Sequence, residues 1–84
     1  MAEITRADKL IEQHKQKSSV VIDRMRRLND GDVGDYERKT IKRHLTVEFQ
    51  TVLLQQGVLE NVATRVASQS ARITVSDIHL AMIR

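Results

Sequence analysis

One break divides this chain. Asn29-Asp30-Gly31-Asp32-Val33-Gly34-Asp35 gathers two glycines and three aspartates, all turn and cap residues, while the chain contains no proline. On both sides of it apolar residues recur every three and four positions, the period of an α-helix packed along one face. On the N-terminal side the seam runs Ile4, Ala7, Ile11, His14, Ser18, Val21, Met25 and Leu28, with a polar middle at His14 and Ser18 where packing is weak or specialised. Thr5-Arg6-Ala7-Asp8 fits the capping-box template and marks the expected start of this first helix. On the C-terminal side a second helix is expected to start between Asp32 and Asp35 and to run towards Ser70, with a seam of Ile41, Leu45, Phe49, Val52, Gln56, Leu59, Ala63 and Val66. Val47, Leu53, Leu54, Val58 and Val62 widen its apolar surface beyond one stripe, so it needs partners on two sides. Gly57 inside that helix would cost about 1 kcal/mol relative to Ala and is expected to mark a close helix contact or a kink.

The segment from Arg72 to the C-terminal Arg84 predicts a third element. Thr74 and Asp77 match the capping box, and Ile73 and Ile78 stand where a hydrophobic staple would clasp, so a short docked helix is expected to begin at Thr74. The expected fold class is all-α: an antiparallel hairpin of two long amphipathic helices plus a short C-terminal helix, in a single domain over residues 1–84.

At 84 residues the chain is near the size at which one core is barely adequate and oligomerisation is a common remedy. With one Phe, one Tyr and no Trp, that core must be aliphatic. Without cysteine there is no disulfide, thiolate metal site or cysteine nucleophile, which fits a reducing compartment. No apolar run approaches the roughly 18 residues of a membrane span. The N-terminus also lacks the apolar stretch of a secretory signal. The expected setting is cytoplasmic, or the nucleoid or nucleus if the chain binds DNA.

Charge is concentrated. Acids and bases cancel from Met1 to Asp23 and again from Leu45 to Arg84, so the net +3 lies between Arg24 and His44. Arg24, Arg26, Arg27, Arg38, Lys42 and Arg43, with Lys39, are candidate nucleic-acid contacts that a hairpin would gather at one end. The same placement complements helix dipoles, four acids dilute it, and no aromatic is placed to stack on bases, so dipole complementation is the preferred reading.

Catalytic patterns are absent. His44 and Glu48 share a helix face but are too few for a metal site. His14 in the first seam reads as a hydrogen-bonded interface histidine, and His79 has no carboxylate at helical spacing. The serines carry no G-x-S-x-G elbow, and no phosphate-cradling glycine loop occurs. No enzyme activity, metal or cofactor is expected.

Arg72-Ile73-Thr74-Val75-Ser76-Asp77-Ile78-His79-Leu80-Ala81 resembles the second loop and third helix of the histone fold, in which a basic residue, a short strand-like stretch and a capping hydroxyl precede a D-I-x-L-A helix. That resemblance implies handshake pairing, often on DNA. The leading expectation is instead a protein–protein interaction module: a small subunit, adaptor or chaperone of a larger assembly, covered by a second copy or a different protein at Val47, Leu54, Val58 and Val62. A histone-like or other helical DNA-binding protein is the alternative.

Overall fold

The computed structural model describes residues 2–82, and these form four helices: α1 (Ala2–Lys17), α2 (Ser19–Leu28), α3 (Asp35–Gln55) and α4 (Glu60–Met82). The all-α expectation holds, but the division of the chain differs from the expected one. Ile83 and Arg84, placed by the sequence at the end of a third helix, lie outside the described residues.

The expected first helix is two. It starts at Ala2, so Thr5 lies inside the first turns and is not a cap. It breaks at Ser18, whose backbone is extended (φ −81°, ψ 117°) and whose hydroxyl accepts the Val21 amide at 3.3 Å, the geometry of an N-cap. The ladder continues around the break: the Ser18 amide donates to the His14 carbonyl at 2.8 Å and the Ile22 amide to the Ser18 carbonyl at 2.9 Å. Because so little is lost, the seam survives, and Ala7, Ile11, Val21 and Leu28 are all buried.

The expected second helix is also two. At Gly57 the backbone turns left-handed (φ 82°), the Gly57 amide bonds the Leu54 carbonyl at 3.1 Å and the Val58 amide bonds the Leu53 carbonyl at 3.0 Å. These two bonds form a Schellman motif, which satisfies carbonyls that a helix end leaves free. Leu53 and Val58, the pair expected to touch across this motif, are both buried. A Cβ on Gly57 would meet nothing within 4 Å, so close helix packing is not its role. It is needed for its positive φ. Leu59 then opens α4 by accepting the Ala63 amide at 2.8 Å, and buried Val58 and Ala63 occupy the two staple positions.

The expected third helix does not start at Thr74. α4 continues through that residue, so its backbone amides already have helical partners and a capping hydroxyl has nothing to satisfy. Ile73 is 56 % exposed while Ile78 packs against the core, and five residues apart on one helix they point in different directions. Thr74 is instead buried (5 % exposed), and its hydroxyl finds no partner. A buried unsatisfied hydroxyl costs about 1–3 kcal/mol, so Thr74→Val should stabilise the protein by about 1 kcal/mol. Val and Thr have similar helix propensity, which isolates the effect. A rise in the urea midpoint is expected, and a fall would show that the hydroxyl is bonded in solution.

Polar contacts fix the helix directions. Arg6 of α1 donates to the Gln56 carbonyl at the end of α3, and His14 meets Glu48 at 3.2 Å, so α1 runs antiparallel to α3. Arg27 reaches Glu37, so α2 continues the same course. Gln50 bonds Thr64 at 3.1 Å, which sets α4 antiparallel to α3. The α1–α2 rod, α3 and α4 thus form a bundle in which each touches the other two, in a body 37 × 22 × 19 Å, and α4, at about 1.5 Å per residue, runs nearly its full length.

Size complementarity builds the core. α3 contributes the large residues Ile41, Leu45, Phe49 and Leu53, spaced four apart along one ridge. α4 answers with small ones, Ala63, Val66, Ala67, Ala71 and Val75. Small side chains let α4 approach α3 closely while the large ones fill the space between, and these two helices share the most extensive interface.

Candidate functional site

The burial of one α3 face determines what the opposite face presents. With Ile41, Leu45, Phe49 and Leu53 turned inward, the 3.6-residue period turns Tyr36, Arg43, Val47 and Leu54 outward along a second stripe. Tyr36 is 85 %, Val47 58 % and Leu54 43 % exposed. Leu59, 62 % exposed, stands in the turn beyond Leu54. The outer side of α3 is therefore a strip of Tyr36, Val47 and Leu54 interrupted by Arg43, with no covering element among the described residues.

The four residues expected at a partner surface split into two pairs. Val47 and Leu54 lie on this stripe. Val58 does not: the turn at Gly57 redirects the chain and sends its side chain into the core. Val62, on α4, is half-buried and packs against that core. Tyr36 belongs to the surface but was missed, because it precedes the apolar seam, although its spacing of 11 and 18 residues from Val47 and Leu54 fits one helical stripe.

The six candidate nucleic-acid contacts also divide. Arg27 is engaged: its Nε donates to Glu37 Oε2 at 2.6 Å, its Nη2 to Glu37 Oε1 at 2.9 Å, and its Nη1 to Asp30 at 3.4 Å. Arg38 donates to Asp35 at 2.7 Å and to the Val33 carbonyl at 3.2 Å. Arg26 lies 3.8 Å from Asp23. Arg24, Lys42 and Arg43 make no ion pair among the described residues, and neither do Lys39 and Arg72. Arg24 borders a shallow cleft between α2 and α3, with Val20 and Ile41 beside it. The basic residues are thus not one surface, because Arg27 and Arg38 close the loop between α2 and α3 while the others stand outside it.

The bidentate hydrogen bond from Arg27 lowers the pKa of the Glu37 carboxyl and raises that of the guanidinium, with charge attraction adding to both effects. A carboxyl held below its unfolded value stabilises the fold above the ordinary carboxylate range, and that contribution is lost as pH falls through the lowered value. Thermal melts of the parent and Glu37→Gln should therefore differ at neutral pH and converge on acidification below about pH 4.5, the ordinary value. Curves parallel throughout would show that the bridge adds nothing.

His14 behaves as a structural histidine, bonded to Glu48 across the α1–α3 interface. This draws Glu48 away from His44, so the expected helical pair of His44 and Glu48 is not formed. Among the described residues, no three His, Cys, Asp or Glu side chains group as a metal site would require. No described helix is long and apolar enough to cross a membrane. Comparisons with protein families, with curated proteins and with solved structures found no match.

Proposed function

We propose that this protein is a non-enzymatic helical interaction module, a small subunit, adaptor or chaperone of a larger assembly, which engages a protein through the outer face of α3. The observation that carries this reading is the uncovered stripe of Tyr36, Val47 and Leu54 on a helix whose other face is fully committed to the core. Exposed apolar groups aligned along one rigid element have the character of a protein contact surface. Internal pairing of Arg27 and Arg38 favours it over nucleic-acid binding, since phosphate affinity scales with the number of free cations.

The alternative, a histone-like or other helical DNA-binding protein, rests on the unpaired Arg24, Lys42 and Arg43. Titration of a short DNA duplex at physiological salt decides between the two. The interaction-module reading expects weak binding that the triple substitution Arg24→Ala, Lys42→Ala, Arg43→Ala barely changes. Sub-micromolar binding, falling steeply with salt and abolished in that variant, would replace it with the DNA-binding one.

A further inference from the structure

The outer face of the α3–α4 hairpin carries free cations beside its apolar groups. The two helices together hold Arg38, Lys39, Lys42, Arg43, Arg65 and Arg72 against Asp35, Glu37, Glu48, Glu60 and Asp77, and Asp35 and Glu37 are taken up by Arg38 and Arg27. Glu48 is turned inward to His14, and Glu60 opens α4 at the far end, near the Gly57 turn. No carboxylate occurs from Asn61 to Ser76. On α3, Lys39 and Arg43 are exposed beside the apolar stripe, without an ion pair among the described residues. The antiparallel register set by Gln50 and Thr64 brings exposed Arg72 of α4 to the level of Lys42. Along α3 the order is therefore Tyr36, Lys39, Arg43, Val47, Leu54: apolar contacts interleaved with free cations.

Resting on the interaction-module reading above, we infer that the occupant of this face is an acidic amphipathic helix of a protein partner, its apolar residues seated on Val47 and Leu54 and its carboxylates paired with Lys39, Arg43 and Arg72. Charge selects against a second copy. In a two-fold antiparallel pairing of α3 helices, Tyr36 would meet Leu54 and Arg43 would meet Val47, but the Arg43 side chains would crowd the axis with no acid on the face to offset them. Like charges across an interface oppose association, whereas opposite charges speed encounter and fix register. An amphipathic helix laid along such a face presents apolar anchors at three- and four-residue spacing.

The test uses the intact protein and a fluorescent helical peptide with leucines at three- and four-residue intervals on one face and glutamates on both flanks. Its control carries lysine in place of every glutamate. The glutamate peptide should bind and the lysine peptide should bind at least about tenfold more weakly, which corresponds to about 1.4 kcal/mol. Val47→Asp and Arg43→Glu, each verified as folded by circular dichroism, should each weaken the glutamate peptide by at least about tenfold. Equal binding of the two peptides, weakened alike by Val47→Asp, would overturn the acidic partner and keep the protein-contact face. Failure of both peptides, with light scattering showing a dimer that Val47→Asp dissolves, would assign the face to a second copy and overturn the inference alone. Displacement of the glutamate peptide by sub-micromolar duplex DNA would overturn both readings.

Discussion

Phe49→Ala should remove a large share of the stability of this protein. Phe49 is the one phenylalanine in the chain and is fully buried at the middle of the α3 ridge, flanked by Leu45 and Leu53. Truncating a buried phenylalanine costs about 3–5 kcal/mol, the transfer of the ring plus the cavity left behind. That cavity cannot collapse easily, because the α4 residues that could move in are alanines and valines with no length to spare. A domain of this size has a total stability of about 4–13 kcal/mol, so a loss of this size should lower the urea midpoint and the melting temperature strongly. Phe49→Leu should cost much less and remain folded. Urea titrations of the two variants provide the comparison, and a Phe49→Ala midpoint close to the parent's would contradict this core.

Ala67→Leu should be damaging for the opposite reason. Ala67 is fully buried among the small residues of α4, and three added carbons have no space there. Overpacking of this kind costs about 1–3 kcal/mol, and leucine is nearly as good a helix former as alanine, so propensity cannot account for a loss. Ser68→Leu, one position away on the exposed side, is the control and should be close to neutral. If the two variants melt together, α4 does not pack on α3 through its small residues.

These outcomes depend on features the sequence displays unevenly. The helical class, the break at residues 29–35 and the start of α3 at Asp35 follow from periodicity and turn residues, which report local preference directly. The break at Ser18 was concealed because the seam keeps its phase across it, although a serine before Val20, Val21 and Ile22 is a recognisable N-cap. Gly57 was read as interior because Gln56, Leu59 and Ala63 continue the period by coincidence. The chain in fact leaves the helix, turns, and re-enters a new one. Thr74 shows the converse error. A threonine with an acid three residues later is a cap only where amides are free, and Ala71, Val75 and Ile78 already kept one helix in phase through it. Val47 and Leu54 were legible as surplus apolar surface, while the fate of Val58 depended on the turn. The pairing of Arg27 with Glu37 spans two helices, and only the packed arrangement shows which cations are occupied.

The Gly57 turn also orders events in time. It links two helices whose contacts are close in sequence, as the Gln50–Thr64 bond, 14 residues apart, illustrates. The bonds that dock α1 span 34 residues at His14–Glu48 and 50 at Arg6–Gln56. Closing short loops costs less entropy and happens sooner, so the α3–α4 hairpin should form the folding nucleus, with α1 added last. Large φ-values are then expected for truncations at Leu53 and Val58, and small ones at Ala7 and Ile11. The reverse pattern would place nucleation at the N-terminus. If α1 is added last, its amides are expected to exchange before those of the α3–α4 hairpin in the native protein.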